Sequence, residues 1–286
     1  MRRNRISFFR ELSLLIREGF WIMVNDTKNI LISLMFPLVA AFITVWIAGK
    51  DMYYDFESTQ AACFIIVCAA IWGGLFNSIQ SVVKERDIVK REFTSGALRL
   101  ECYIFSRAIL QLMLCVVQSI ALCLSFYGVA LVHNHNLPAS GVIFGSSMVE
   151  YYISVLLIMY ASDMLGLTIS CFVRTEQLAS QISPYILIAQ LLFSGLLFPM
   201  EGLSSSISAF MFSRWGMEAL GTISDINSLD LFVPYGDGYM IPHDPVDYFT
   251  YTPEHLMEVW MILIVFCVGL MIIGNIALYS VKKDSR

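Results

Sequence analysis

The stretch 259–281 reads VWMILIVFCVGLMIIGNIALYSV and contains no charged residue. An α-helix needs about 20 predominantly apolar residues to cross the hydrocarbon core of a bilayer. The stretch does not show the alternation of apolar and polar residues that marks a strand of a membrane β-barrel. It therefore predicts a membrane-spanning helix near the end of the chain.

Five further apolar runs precede this stretch, at 30–48, 60–83, 104–132, 141–173 and 179–200. The chain is 57% hydrophobic and only 14% charged, with a mean hydropathy of +0.69. A soluble fold of 286 residues cannot bury that much apolar surface. We predict an all-α polytopic membrane protein with six transmembrane helices and both termini on one side, built as a single domain over 1–286.

The basic residues identify that side. Of the 18 Lys and Arg residues, all but Lys50 and Arg214 fall at the ends and loops that the six runs place together with the termini. Loops rich in Lys and Arg are typical of the cytoplasmic face. We therefore predict cytoplasmic termini and a multi-pass protein of the plasma membrane, most naturally a bacterial one. The net charge of -5 gives no reason to expect a nucleic-acid partner.

Two segments are predicted to lie on the cytoplasmic side. In 5–28 the charges of Arg10, Glu11, Arg17 and Glu18 recur at a spacing of seven beside apolar residues, which predicts an amphipathic helix in the membrane interface. Such a helix either contacts a cytoplasmic partner or only anchors the chain to the membrane, and the segment alone does not decide.

The second segment, 84–103, reads KERDIVKREFTSGALRLECY. Asp87 and Arg91 stand four residues apart, which favours a short charged helix, and Ser95-Gly96 predicts its end. Because both signs of charge are interleaved with apolar residues, we interpret this loop as a docking surface for a soluble domain. The alternative is an ordinary solvated loop.

The longest segment on the predicted outer side is 201–258. Its first part, 202–222, is apolar enough to dip back into the membrane or to lie on it. Its second part, 223–258, holds four prolines together with acidic and aromatic residues, which predicts an irregular outer cap.

Two carboxylates, Glu150 and Asp163, fall inside the fourth run. An intramembrane carboxylate is costly and usually faces the bundle interior or a wet cavity. An ion-coupled carrier or channel that uses Glu150 and Asp163 is therefore an alternative function. The sequence contains no phosphate-binding G-x-x-x-x-G-K-[ST] loop, no recognisable catalytic spacing and no Cys/His metal spacing, so we expect neither an enzyme nor a metal site.

In their order along the chain, these features resemble the transmembrane domain of type-2 ABC exporters, most of all that of the G subfamily. Glu85-Arg86, Arg91-Glu92 and Gly96 resemble the family's coupling-helix run. Four further stretches carry the likeness: Phe8 to Arg17 with Asn25-Asp26, Gly166-Leu167 with Ile169-Ser170, Phe193 to Leu197, and Ser213 to Gly216.

The resemblance implies a permease that exports a hydrophobic or amphipathic substrate, whether a lipid, a drug or a peptide, by alternating access. A second permease chain, identical or different, would face it, and separate ATPase subunits would bind ATP and Mg²⁺. The nucleotide-binding domain that G-subfamily members commonly carry upstream is expected on another polypeptide.

The resemblance also implies roles for particular residues of this sequence. It places contacts to the ATPase on the connecting helix 5–28 and the coupling loop 84–103, at Arg17, Glu18, Glu85, Arg86, Arg91, Glu92 and Gly96. It places the substrate cavity at Trp72, Phe76, Asn77, Gln190 and Phe193. The leucine pair that gates the cavity on the outer side is matched by Leu196 and Leu197.

Overall fold

The computed structural model describes residues 7–48, 52–132, 140–196, 202–233, 239–242 and 244–279. Most of them are helical. The helices are α1 (Phe8–Asn25), α2 (Thr27–Ala48), α3 (Phe56–Ser78), α4 (Ser81–Thr94), α5 (Leu100–Val132), α6 (Ser147–Phe172), α7 (Glu176–Leu192), α8 (Leu203–Ser208), α9 (Phe212–Ile223) and α10 (Pro253–Leu278). The all-α prediction is confirmed.

Each of the six predicted apolar runs coincides with a helix: α2, α3, α5, α6, α7 and α10. By length and composition, four helical stretches in the described part of the chain can cross a bilayer: Phe56–Thr94, Leu100–Val132, Ser147–Phe172 and Pro253–Leu278. A fifth arises if Phe8–Asn25 and Ile30–Thr44, which meet at a bend of 75°, count together. The chain is thus a multi-pass membrane protein, and the count of six spans stays a prediction.

Helix α6 forms the centre of the bundle, where it packs against α3 on one side and α10 on the other. Its contact with α3 depends on two glycines. A Cβ atom at Gly74 would lie 2.1 Å from the carbonyl oxygen of Met159, and one at Gly166 would lie 2.7 Å from that of Leu75. Small residues let membrane helices approach closely enough for backbone contact. We call this contact the α3–α6 seam.

The predicted amphipathic helix is α1, and it lies along α5. Gly19 faces Leu110, whose Cδ1 atom would be 2.3 Å from an added Cβ atom. No residue of α1 is fully buried, and Phe9, Trp21 and Ile22 are largely exposed. The helix thus has one face on the bundle and another available to lipid or to a partner.

We call the end of the bundle that holds α1 and α4 the inner end, because the charge distribution predicts it to be cytoplasmic. The opposite, outer end holds α8, α9 and the cap. In the described part of the cap, two turns of 3-10 helix (Ile226–Ser228 and Asp247–Phe249) accompany an antiparallel hairpin of β1 (Leu231–Val233) and β2 (Tyr239–Ile241), in which Leu231 pairs with Ile241.

The helix boundaries differ from the predicted runs in one instructive place. The fourth run was expected to begin at 141, but α6 begins at Ser147. Residues 140–146 form a turn, and Glu150 accepts hydrogen bonds from the backbone N–H groups of Val142, Ile143 and Phe144 at 2.6–2.8 Å. A buried carboxylate with three such donors stabilises the turn against continuation of the helix.

Candidate functional site

A cleft of about 510 Å³ opens near the inner end of the bundle, between the start of α2, the second half of α3 and the middle of α5. We call it the inner cleft. It brings together three of the five predicted cavity residues, Trp72, Phe76 and Asn77. Trp72 and Phe76 line this cleft and are 38% and 56% exposed.

A pair of amides forms the polar part of the inner cleft. Asn77 Nδ2 donates to Gln118 Oε1 at 2.6 Å, and Gln118 Nε2 donates to Asn77 Oδ1 at 3.1 Å. Gln118 Nε2 also lies 3.4 Å from the carbonyl oxygen of Ser33 on α2. The two amides therefore connect α2, α3 and α5. Sequence reasoning missed Gln118, although a glutamine inside a long apolar run was a usable signal.

Charged side chains border the inner cleft at its inner end. Asp26 at the α1–α2 bend and Lys84 on α4 both line it and are both exposed. Gln80 and Ser81 lie beside them, and Gln80 Nε2 donates to Ser180 Oγ of α7 at 2.7 Å. The cleft thus combines charges at its rim with an amide pair and two aromatic rings. Such a mixture of polar and apolar groups suits an amphipathic molecule better than a purely apolar one.

The other two predicted cavity residues lie elsewhere. Gln190 is buried between α7 and α9, where its carbonyl and side-chain oxygens accept hydrogen bonds from Ser213 Oγ (2.5 Å) and Ser213 N (3.1 Å). Phe193 is half-buried at the end of α7. Neither lines the inner cleft of this chain, so the geometry separates them from Trp72.

The predicted outer gate begins at Leu196, which is half-buried just beyond α7. Ser194 is buried and Gly195 has a φ of 91°, so the chain turns sharply here with a residue that tolerates positive φ. Leu197 lies outside the described residues. The gate remains a prediction.

The predicted coupling residues divide into two groups according to the way they face. On α4, Lys84, Asp87, Ile88, Arg91 and Glu92 are exposed and form one side of the helix. On α1, Arg17 and Glu18 are exposed as well. Gly96 ends the turn after α4 with a φ of 73°, as a helix C-terminus commonly requires. These residues are available to a partner.

Glu85 and Arg86, in contrast, face other helices of the same chain. Glu85 forms an ion pair with Arg107 and accepts a hydrogen bond from Tyr103 Oη at 2.7 Å, both on α5. Arg86 is 9% exposed and donates to the carbonyl oxygens of Cys171 and Val173, each at 3.1 Å. The resemblance assigned all of these motif residues to the contact with the ATPase. In the fold, Glu85 and Arg86 face α5 and α6 instead, whereas Arg91 and Glu92 are exposed.

A further ion pair, which sequence reasoning did not single out, joins α1 to the turn that follows α4. Arg99 N donates to Glu11 Oε1 at 2.7 Å, and Arg99 Nε lies 3.5 Å from Glu11 Oε2. Glu11 thus joins α1 to the turn between α4 and α5, and Glu85 joins α4 to α5. Two polar contacts therefore connect the predicted connecting and coupling helices to their neighbours at the inner end.

The outer end holds a second cavity, of about 480 Å³, between α9, the end of α7 and the cap. Glu218 lines it and is 5% exposed, with Arg214 Nε at 3.7 Å and His255 Nε2 at 3.3 Å. The Arg214 guanidinium lies about 5 Å from the ring centroids of both Trp215 and Tyr248. Burial raises the pKa of Glu218 to about 7, although Arg214 acts in the opposite direction.

The two carboxylates of the ion-coupled alternative have structural partners. Glu150 binds the turn before α6, and Asp163 Oδ2 accepts a hydrogen bond from the Cys115 thiol at 3.2 Å. They are 13 positions apart on α6, which at 1.5 Å per residue separates them by about 20 Å along the helix axis. Direct proton transfer between them is therefore impossible in this arrangement.

The chain is similar in sequence to known ABC transporter proteins. The family model described as "ABC-2 type transporter" matches residues 10–223, about three quarters of the chain. An ABC transporter ATP-binding/permease protein of Mycobacterium tuberculosis is 24% identical to this chain over 236 residues. That match covers 78% of this chain but only 26% of the relative. The chain thus spans about a quarter of the length of a relative whose printed description covers both ATP binding and a permease.

Proposed function

Because the chain belongs to the ABC-2 type transporter family, we propose that it is a permease that exports a hydrophobic or amphipathic substrate through the inner cleft. The family places it in the membrane as the transport component of an ABC transporter. The observation that supports an amphipathic cargo is the composition of the inner cleft, which combines the aromatic rings of Trp72 and Phe76 with a charged rim and the Asn77–Gln118 amide pair.

The ATPase is proposed to dock at the inner end. The exposed side of α4, with Asp87, Ile88, Arg91 and Glu92, and the exposed residues Arg17 and Glu18 of α1 supply both signs of charge for a protein surface. In the mycobacterial relative, ATP-binding and permease functions share one polypeptide. For this chain we propose separate ATPase subunits that bind ATP and Mg²⁺.

Two permease chains are proposed to face each other, as the resemblance to the G subfamily implies, in a homodimer or a heterodimer. Gln190 and Phe193 lie away from the inner cleft of their own chain. Residues of α7 can contribute to a shared cavity only if a second chain brings them opposite Trp72 and Phe76. Leu196 and Leu197 would then close this cavity on the outer side.

The test of the cargo proposal uses proteoliposomes that contain the complex purified through a tag on this chain. Three probes are compared: an NBD-labelled phospholipid, a hydrophobic rhodamine dye and a short amphipathic peptide. At least one should stimulate ATP hydrolysis, and Trp72→Ala should raise its half-maximal concentration about tenfold, since aromatic contacts contribute strongly to binding. Trp46→Ala is the matched control, because Trp46 is 73% exposed on α2 and does not line the cleft. Equal effects of both variants would contradict the assignment of the cleft.

The docking proposal is tested by charge reversal. Arg91→Glu should reduce the amount of ATPase that co-purifies while leaving the unfolding temperature unchanged, because Arg91 is exposed. Glu57→Lys, an exposed position at the outer end, is the control and should leave co-purification intact. If no ATPase co-purifies with the unmodified chain, the proposal of a separate ATPase fails. If Arg91→Glu binds the ATPase normally, the docking surface lies elsewhere.

A further inference from the structure

The first turn of α4 is capped by a different helix. The residue that precedes α4, Gln80, makes no side-chain capping bond. Instead, the backbone N–H groups of Val82 and Val83 donate to Ser170 Oγ of α6, at 3.0 and 3.1 Å. The first N–H groups of a helix have no partner within the helix itself, so an outside acceptor is needed when they are buried. Here α6 supplies it.

The last turn of α6 is capped in return by α4. Helix α6 ends at Phe172, and the Arg86 guanidinium donates to the carbonyl oxygens of Cys171 and Val173 beside that end. A guanidinium carries several donors in a fixed plane and favours the negative end of a helix dipole. Each helix therefore satisfies the free terminal groups of the other. We call these four hydrogen bonds the α4–α6 clasp.

We infer that the α4–α6 clasp makes Arg86 and Ser170 positioning residues for transport, which fasten the coupling helix to the central helix so that both move as one body. The inference rests on the proposed function, in which an ATPase pushes on α4. In this inference Arg86 contacts the end of α6. The resemblance to the coupling-helix motif had placed it among the contacts to the ATPase.

A competing attachment runs from α4 to α5 through Glu85, Arg107 and Tyr103. The side chains of Glu85 and Arg107 are 33% and 22% exposed, so water and salt weaken their attraction. Arg86 is 9% exposed and Ser170 is fully buried. Breaking buried hydrogen bonds leaves their groups without a partner, so the clasp resists separation more strongly than the Glu85 contact does.

Helix α6 can carry such a movement to the outer end. It is held to α3 along the α3–α6 seam, where Ser162 Oγ donates to the carbonyl oxygen of Ile71 at 2.6 Å. Near its outer end, Tyr151 Oη is hydrogen-bonded to Ser224 Oγ, directly after α9. A push on α4 would therefore reach the residues around the outer cavity without passing through the inner cleft.

The clasp itself is tested by amide hydrogen exchange on the chain in nanodiscs, with no ATPase required. Ser170→Ala should speed exchange at Val82 and Val83 about tenfold or more, because their N–H groups lose their acceptor. Ser180→Ala is the control, since Ser180 bonds Gln80 at an exposed position and should leave both amides as protected as before. Unchanged protection in Ser170→Ala would overturn the clasp.

Its role in transport is tested on the complex with the co-purified ATPase. Spin-label amino acids replace Thr94 and Phe172 in one sample, and Thr94 and Leu178 in another; all three positions are exposed, and none belongs to the proposed docking surface. Between the nucleotide-free and vanadate-trapped states, the 94–172 distance should stay constant. The 94–178 distance should change by several ångströms, at most about one helical turn of roughly 5 Å. A change of the 94–172 distance as large as that of the 94–178 distance would overturn the inference.

Transport activity is the last quantity to be measured. Arg86→Met keeps the apolar stem of the side chain but removes its donors, so probe transport per ATP hydrolysed should fall about tenfold while co-purification of the ATPase is retained. Arg86→Lys should recover part of the loss, because an ammonium still donates to a carbonyl. Normal transport in both Arg86→Met and Ser170→Ala would refute the role, whereas absence of any ATPase would refute the proposed function and leave the exchange result standing.

Discussion

The two sides of α3 between Trp72 and Ser78 differ in almost every respect. One side carries Gly74 and Ser78, which are buried in the α3–α6 seam, and Ser78 Oγ donates to the carbonyl oxygen of Asp163 at 2.5 Å. The other side carries Trp72 and Phe76, which are exposed in the inner cleft. In the seam the backbones of α3 and α6 approach each other closely, whereas the cleft is an open cavity of about 510 Å³.

This difference shows how one short helical segment serves two purposes. With 3.6 residues per turn, side chains separated by three or four positions share a face, so small residues collect on one side and aromatic ones on the other. A side chain larger than hydrogen at Gly74 would strike backbone, which no rotamer change relieves. Changes on the cleft side alter the lining of a cavity of about 510 Å³. The two faces should therefore respond to substitution in opposite ways.

The largest effect is expected from adding one methyl group on the side of α3 that faces the α3–α6 seam. Gly74→Ala should lower the free energy of unfolding by about 3 kcal/mol, because its Cβ atom would lie 2.1 Å from the Met159 carbonyl oxygen and force α3 away from α6. The adjacent Gly73→Ala is the matched control, since Gly73 lines the cleft. It should change stability by less than about 1 kcal/mol. Thermal unfolding in nanodiscs measures both. Equal losses would mean that the cleft side is packed as tightly as the seam.

The second effect concerns Glu218, a buried carboxylate that lines the outer cavity. Burial raises its pKa from the usual 4.5 to about 7, so the folded protein binds a proton there more readily than the unfolded chain does. Between pH 4.5 and pH 7 the folded state therefore holds more protons, and stability falls as the pH rises through this window. The total loss should be about 3 kcal/mol.

Glu218→Gln isolates this contribution, because the amide keeps the shape of the side chain without ionising. Unfolding temperatures measured from pH 4.5 to pH 7.5 should decline less steeply in the variant than in the wild type. Met217→Leu, which changes a neighbour in the same cavity without removing an ionisable group, is the control and should keep the slope of the wild-type curve. Parallel curves for Glu218→Gln and the wild type would show that Glu218 does not differ in protonation between the folded and unfolded states.

The contrast between the two faces also explains what could be predicted from the sequence. Hydropathy located the six helices α2, α3, α5, α6, α7 and α10, because the bilayer imposes length and apolarity on each run. The cluster of Trp72, Phe76 and Asn77 was predictable, since these residues lie on one stretch of one helix. Gln118 was not, because its pairing with Asn77 joins positions 41 residues apart and depends on how α5 packs.

The second limit on prediction from the sequence was the direction in which each side chain faces. In the sequence, Glu85-Arg86 and Arg91-Glu92 are equivalent pairs of opposite charge, and the resemblance assigned both to the ATPase. In the fold, Arg86 faces the end of α6 while Arg91 faces outward. Five positions on a helix correspond to about 500° of rotation, so their directions differ by about 140°. Only the placement of the neighbouring helices decides which of them is buried.

The smallest effects come from two serines that stand three positions apart, Ser78 at the end of α3 in the seam and Ser81 at the start of α4 in the inner cleft. Ser78 donates to the Asp163 carbonyl oxygen in the seam, and Ser81 lines the inner cleft beside Lys84. Ser78→Ala should lower the free energy of unfolding by about 1 kcal/mol, the usual contribution of one hydrogen bond, and leave probe-stimulated ATP hydrolysis unchanged.

Ser81→Ala should give the reverse pattern. Its hydroxyl donates only to the nearby carbonyl oxygen of Ser78 at 2.8 Å, so stability should change by less than about 0.5 kcal/mol. If a polar head group of the cargo contacts this rim, the half-maximal concentration of the stimulating probe should rise about threefold, as expected for the loss of one weak hydrogen bond. The same chemical change would then alter stability alone in the seam and the probe response alone in the cleft. If both serines alter the same readout, the distinction between a structural seam and a transport cleft is wrong.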